Sequence, residues 1–142
     1  MKVKIAIGCD HGGIDLKNSV ILVLADMGHE VDDQGCHSTE SVDYPNFARS
    51  VSGLVKEGKC GCGILICGTG IGMSMAANRI SGIRAALCND MFSAKMSREH
   101  NDANILCLGA RVIGPGLAVE IVRTWMASDF AGGRHQRRID MF

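Results

Sequence analysis

The run Cys67-Gly68-Thr69-Gly70-Ile71-Gly72 sets one thiol beside three glycines at alternate positions. Glycines at that spacing let a backbone approach a ligand closely and turn its N–H groups toward it. The apolar run Gly63-Ile64-Leu65-Ile66 leads into the segment and helix-forming residues follow, so the loop joins a strand to a helix. A helix start adds positive potential at the same place. The chemistry this suits is stabilisation of negative charge, on a phosphate or on an oxyanion that forms only during reaction. Cys67 stands at the mouth of the loop, and thiols facing a helix N-terminus can act as base or nucleophile. A cysteine in an apolar strand is ordinarily core. Position alone separates Cys67 from Cys9, Cys36, Cys60, Cys62, Cys88 and Cys107.

Nucleotide readings of the loop fit poorly. It lacks the Gly-Lys-Ser/Thr ending of a Walker loop, and the dinucleotide fingerprint needs a further glycine at Met73 or Met75. Cys60-Gly61-Cys62 has no second ligand pair at zinc spacing, so no metal site is expected.

Other polar groups belong with the loop. Asp10-His11 follows a short apolar run and precedes Gly12-Gly13, while Arg98-Glu99-His100-Asn101-Asp102 ends a helical stretch just before another strand. A lone histidine is ordinarily structural, but two beside strand ends with carboxylates nearby point to acid–base work. His29 and His37 read as surface or loop residues. The one dense basic cluster is Gly132-Gly133-Arg134-His135-Gln136-Arg137-Arg138. On a helix, Arg134 and Arg138 share a face, and two guanidinium groups there suit a phosphate. A solvated basic tail would look the same; the two readings stand level on these residues alone.

These groups must be held by a scaffold, and the pattern supplies one. Strands are predicted at Val3–Gly8, Glu30–Asp33, Gly63–Cys67, Ile83–Cys88 and Asn104–Leu108. Between them helices are predicted at Leu16–Met27, from Tyr44-Pro45 to about Lys56, at Gly72–Arg79, at Phe92–His100 and at Leu117–Ala127, with Pro115 in a first turn. A short helix over Arg134–Ile139 ends the series. Strands that are apolar throughout and alternate with helices predict a five-stranded parallel sheet in a three-layer α/β/α sandwich of Rossmann-like type. With 142 residues, 46% of them apolar and 4% aromatic, one domain over 1–142 with an aliphatic core is expected. Such sheets bind ligands at the C-terminal ends of their strands, here Cys9-Asp10-His11, Cys67 to Gly70, Cys88-Asn89-Asp90 and Gly109-Ala110-Arg111.

Fifteen basic residues balance fifteen acidic ones, which gives no reason to expect nucleic acid or a membrane surface as partner. The odd cysteine count, the lack of a signal-peptide pattern and the lack of a membrane-length apolar run lead us to expect reduced thiols and a cytoplasmic protein.

Taken together, Gly8-Cys9-Asp10-His11-Gly12-Gly13, Asp43-Tyr44-Pro45, Ile66 to Gly72, Ala76-Ala77-Asn78-Arg79, Ser97 to Asn104 and Gly132 to Gln136 resemble ribose-5-phosphate isomerase of type B. That family's relatives include galactose-6-phosphate and allose-6-phosphate isomerases. The resemblance implies that Cys67 carries a proton between C1 and C2, and that Gly68, Gly70, Ile71 and Gly72 form an anion hole for the enediolate. It implies that Thr69 orients the sugar and that His100 opens the furanose ring, assisted by Asp10. His11, Arg111, Arg134 and Arg138 match phosphate or sugar contacts, and Tyr44 and Asn101 match residues that line the site. One branch of the family has a glutamate base at the position of Met73; methionine takes no proton, so this chain depends on Cys67. The resemblance further implies a homodimer or a dimer of dimers in which each site is shared, His100 and the arginines coming from the partner chain. A small-molecule sugar phosphate is the expected substrate, with no metal or organic cofactor. Arg137 has no assigned role. A six-carbon sugar phosphate remains an alternative substrate, and a non-catalytic nucleotide-binding module a more distant one.

Overall fold

In the computed structural model, which describes residues 1–142, strands and helices alternate along the chain. β1 (Lys4–Cys9) leads to α1 (Ile14–Asp26), β2 (Glu30–Asp33) to α2 (Tyr44–Lys56) and β3 (Cys62–Cys67) to α3 (Ile71–Asn78). β4 (Ala85–Leu87) leads to α4 (Met91–Glu99) and β5 (Ile105–Gly109) to α5 (Pro115–Met126), and the chain closes on α6 (Arg134–Ile139). The strands form one parallel sheet in the order β2-β1-β3-β5-β4.

β3 and β5 are buried at every position, and β1 at every position but Lys4. Helices cover both faces, so these three strands have no wet side and read as unbroken apolar runs. Ile5, Ile7, Ile64, Ile66, Leu106 and Leu108 face one layer, packed with Leu16, Val20 and Leu24 of α1 and Ile121, Val122 and Trp125 of α5. Ala6, Leu65, Cys67, Ile105 and Cys107 face the other, against Ala48 and Val51 of α2 and Met73 and Ala77 of α3. The expected three-layer α/β/α sandwich with five parallel strands is what the chain forms.

β4 is shorter than the Ile83–Cys88 stretch expected. The Ile83 N–H is used in a turn to the Ile80 carbonyl, and Arg84 sends its guanidinium to the carbonyls of Asn101 and Asp102. Only Ala85–Leu87 pairs with β5, at the sheet edge, where all three residues are half-buried. The free edge is capped by Asn78, whose side chain donates to the Ala85 carbonyl and accepts from the Ala85 N–H.

From β1 the chain moves to one side for β2 and to the other for β3. The crevice at that reversal opens outside the carboxyl ends of β1 and β3. Asp10 and Cys67 stand there.

One support of this edge was not foreseen. Lys17 on α1 is 1% exposed and holds Asp33, at the end of β2, through both carboxylate oxygens at 2.8 and 2.9 Å. It also donates to the Cys36 carbonyl at 3.0 Å. A buried ammonium is tolerated only when paired and hydrogen-bonded, and this one is. It ties α1 to the segment after β2 that flanks Cys9, whose N–H donates to the Gly35 carbonyl.

Candidate active site

The loop after β3 is shaped by contacts that leave no room for side chains. Gly70 has φ +78°, and a β-carbon there would stand 2.5 Å from Leu87 Cδ1 and 3.0 Å from the Leu108 carbonyl carbon. A β-carbon at Gly72 would meet the Tyr44 ring at 2.6 Å, and one at Gly109 the Thr69 carbonyl oxygen at 2.6 Å. The chain therefore turns sharply from β3 into α3 with its backbone facing outward. The N–H groups of Gly68, Thr69, Gly72 and Met73 have no hydrogen-bond partner within the chain. The Gly70 N–H donates to Cys67 Sγ at 3.1 Å, and the Ile71 N–H to Thr69 Oγ1 at 3.2 Å.

An open cleft of about 480 Å³ lies over this loop, lined by Asp10, Tyr44, Cys67, Gly68, Thr69, Ile71, Gly72 and Met75. Cys67 is 5% exposed, and that small exposure faces the cleft. It is held where a backbone N–H reaches its sulfur, which is the contact a thiolate accepts. Five other thiols are raised by burial: Cys9 and Cys62 up to about 12, Cys88 up to about 11, and Cys60 and Cys107 as well.

Around the cleft, Asp10 Oδ1 accepts from the Gly12 N–H at 2.9 Å, which fixes the carboxylate at the end of β1. His11 Nδ1 accepts from the Val42 N–H at 3.3 Å, so its ring proton sits on Nε2. Arg111, after β5, donates its backbone N–H to the Gly68 carbonyl at 2.9 Å. Its guanidinium lies over the glycine turns: NH1 is 3.9 Å from a β-carbon built at Gly68, and NH2 3.9 Å from one built at Gly12. A cation, a neutral N–H donor and the free loop amides thus converge on the mouth of the β1–β3 crevice. Such a mouth accepts an anion.

Three further hollows, of about 510, 380 and 240 Å³, lie elsewhere. The largest is lined by Met1, His29, Cys62 and residues at the end of α5, and its arginine, Arg98, is already engaged with the Ala103 and Ser128 carbonyls. Burial pushes Cys62, the one thiol that lines any of them, up to about 12, so the cleft over the glycine loop is the candidate site.

One chain does not bring all the expected groups together. α4 begins at the C-terminal edge of the sheet and runs back, so His100, its C-cap, lies toward the opposite edge. A nine-residue helix spans about 13 Å. Asn101 lines the 380 Å³ hollow beside β4, not the cleft. Arg134 and Arg138 lie on α6 near that same end, where the Ala131 N–H donates to the Glu99 carbonyl. The two histidines beside strand ends, His11 and His100, therefore do not form one acid–base pair within a chain. Within one chain the expected residues fall into two separate groups instead. One holds Asp10, His11, Tyr44, Cys67 to Gly72 and Arg111; the other holds His100, Asn101, Arg134 and Arg138.

Met75 lines the cleft and is 67% exposed, a contributor that its position on α3 alone does not reveal. Met73, at the position where some resembling proteins have a glutamate, is wholly buried in the α2–α3 layer. No metal-holding cluster of His, Cys, Asp or Glu is present.

Comparison with known proteins places this geometry in a family. The Ribose/Galactose Isomerase family matches residues 5–142. Ribose-5-phosphate isomerase B of Escherichia coli (strain K12) is 49% identical over 137 residues, covering 96% of this chain and 92% of that one. The structure of Clostridium thermocellum ribose-5-phosphate isomerase B superposes with a TM-score of 0.96 at 55% identity, covering 97% of this chain and 93% of that one. The Mycoplasma genitalium ribose-5-phosphate isomerase B with bound ribulose-5-phosphate superposes with a TM-score of 0.94 at 41% identity, covering 97% and 92%. On the match along nearly its whole length, this chain belongs to the ribose/galactose isomerase family.

Proposed function

We propose that this chain interconverts ribose 5-phosphate and ribulose 5-phosphate through an enediolate. The observation that carries the reading is the Cys67 sulfur, set against the Gly70 N–H at 3.1 Å in a cleft lined by unpaired loop amides. The C2 proton of an aldose is only weakly acidic, so charge that develops on the C1 oxygen must be held as the proton leaves. Fixed N–H donors do this with little reorganisation. Cys67 takes the C2 proton and returns it to C1, the O2 hydroxyl proton passes to the adjacent O1, and the free amides of the Gly68 to Gly72 loop hold the oxyanion. Thr69 orients the sugar, and Tyr44 closes one wall of the cleft.

The furanose must open before this step. The O1 proton passes to Asp10, the C1–O4 bond breaks as C1=O forms, and O4 takes a proton from His100. His11 and Arg111 contact the substrate from the cleft side, while Asn101, Arg134 and Arg138 approach from the other half-site. Those groups and His100 come from a second copy of the chain, so the working unit is a dimer, or a dimer of dimers, with shared sites. Phosphate anchors remote from the reacting carbons hold the substrate in register.

The test is Cys67→Ala assayed on ribose 5-phosphate. Turnover is expected to fall by about 10² to 10⁴, the range for loss of a positioned base, while inorganic phosphate still competes for the site. Turnover within a few fold of the parent would rule out Cys67 as the base. The family also covers galactose phosphates; a panel of five- and six-carbon aldose phosphates, read as kcat/KM, decides between them.

A further inference from the structure

The imidazole rings of His100 and His135 are stacked, with centroids 4.1 Å apart and planes inclined by 12°. Their backbones are tied as well. The Ala131 N–H donates to the Glu99 carbonyl at 3.0 Å, and the His135 N–H closes a turn on the Gly132 carbonyl at 3.1 Å. Gly132 and Gly133 make that turn at φ +66° and +57°, a conformation that favours glycine. The Gly-Gly turn thus delivers the first turn of α6 onto the end of α4, and His135 lands on His100.

The charges around the pair decide which ring can be cationic. Arg134 and Arg138 stand beside His135 on α6. On α4, Glu99 is 3.7 Å from Lys95, and Arg98 is 3.5 Å from Asp102, so these charges are matched among themselves. Two stacked imidazolium ions beside two guanidinium groups would repel. Desolvation first, then His100, Arg134 and Arg138, hold His135 below the ordinary histidine range. The neutral form of His135 is thereby favoured, and a neutral aromatic face attracts a cation laid over it.

We propose that His135 is a positioning residue for ring opening: an uncharged flat ring that holds the His100 imidazolium in plane while it delivers a proton to the furanose O4. This rests on the reading of His100 given above. It assigns a task to His135 that is separate from anchoring phosphate, the task of its neighbours Arg134 and Arg138. A flat neutral ring is sufficient for it, so phenylalanine should substitute, alanine should not, and lysine should be worst.

Ring opening can be read without isomerisation. 2-Deoxyribose 5-phosphate lacks the C2 hydroxyl and forms no enediolate, yet its anomers interconvert only by opening and reclosing the ring. Anomer exchange is measured by magnetisation-transfer NMR in the parent enzyme and in His135→Phe, His135→Ala, His135→Lys and His100→Ala. Inhibition by inorganic phosphate is measured for each. The parent is expected to accelerate exchange and His135→Phe to stay within about twofold of it. His135→Ala should fall about five- to tenfold, the scale of one aromatic contact, and His135→Lys further, with phosphate inhibition retained. If His135→Ala and His135→Lys exchange like the parent while His100→Ala does not, the role of His135 is overturned and His100 stands. If the parent fails to accelerate exchange, or His100→Ala exchanges like it, the ring-opening reading itself falls. If exchange and phosphate inhibition weaken together, His135 merely holds α6 in place and the proposal is overturned.

Discussion

Tyr44, the first residue of α2, packs its phenol directly against the backbone of Gly72 in the first turn of α3. A β-carbon at position 72 would stand 2.6 Å from Tyr44 Cζ and 2.7 Å from its hydroxyl oxygen. The contact joins the two helices of one layer at the rim of the cleft, so the wall that Tyr44 provides and the path of the loop amides are set together.

The sign of a Gly72→Ala substitution should therefore depend on Tyr44. In the parent, the added methyl collides with the ring and costs about 1–3 kcal/mol, with turnover reduced because the Gly72 amide moves. In a Tyr44→Ala background the collision is gone and only helix propensity remains, which favours alanine by up to about 1 kcal/mol. A double-mutant cycle by urea denaturation measures this. Equal destabilisation in both backgrounds would mean that Tyr44 does not constrain the loop.

The Lys17–Asp33 pair should be asymmetric. Asp33→Ala leaves a 1%-exposed ammonium without its carboxylate and should cost about 3–5 kcal/mol. Lys17→Met leaves a carboxylate that is 30% exposed and still accepts from the Gly35 N–H, so it should cost less, about 1–3 kcal/mol. The pH dependence follows from Asp33. Burial opposes its ionisation, but Lys17 and the Gly35 N–H outweigh that and hold its carboxyl below the usual carboxylate range. A depressed folded pKa contributes stability above the unfolded value near 4, and loses it as pH falls through the folded one. Thermal melts across about pH 3 to 6 should show a smaller acid-side loss for Lys17→Met than for the parent. Parallel curves would show that the pair carries none of the acid sensitivity.

Cys67 should react before any other thiol. Its sulfur borders the cleft, while burial raises the thiols of Cys9, Cys60, Cys62, Cys88 and Cys107, and Cys36 lines no cleft and donates to the Ser38 carbonyl. Brief iodoacetamide treatment of the folded protein should place one adduct per chain, on the peptide holding Cys67, with activity lost in proportion. Peptide mapping by mass spectrometry gives the answer; adducts spread over several peptides at partial inactivation would contradict it.

The sandwich was legible because β1, β3 and β5 are buried on both faces and must be apolar throughout. The cleft residues were legible for a related reason: a parallel sheet puts strand ends at one edge, and Cys67 ends a strand while Asp10 and Arg111 follow one. What escaped depends on side-chain direction. Nothing in the amphipathic pattern of α1 says that Lys17 turns inward to a carboxylate 16 positions ahead. The true length of β4 depends on Arg84 leaving its strand for the carbonyls after α4. The ring stack of His100 and His135 depends on how a two-glycine turn aims α6.

The proposed sharing of the site between two copies makes the strongest prediction about assembly. His100 ends a helix that leads away from the cleft, so within one chain it has no route to a sugar held at Cys67. If a second copy supplies it, Cys67→Ala and His100→Ala damage opposite halves of each shared site. Mixed dimers of the two variants then carry one site with both defects and one with neither. Each variant alone should be close to inactive. After co-expression, or subunit exchange under mild denaturant, random pairing makes half the dimers mixed, and about one quarter of parental activity should return. Purification through two different tags should raise the recovered value to about one half. A doubly tagged mixed dimer that stays as inactive as its parents would place both groups in the same site of one chain, and the two-half arrangement would be wrong.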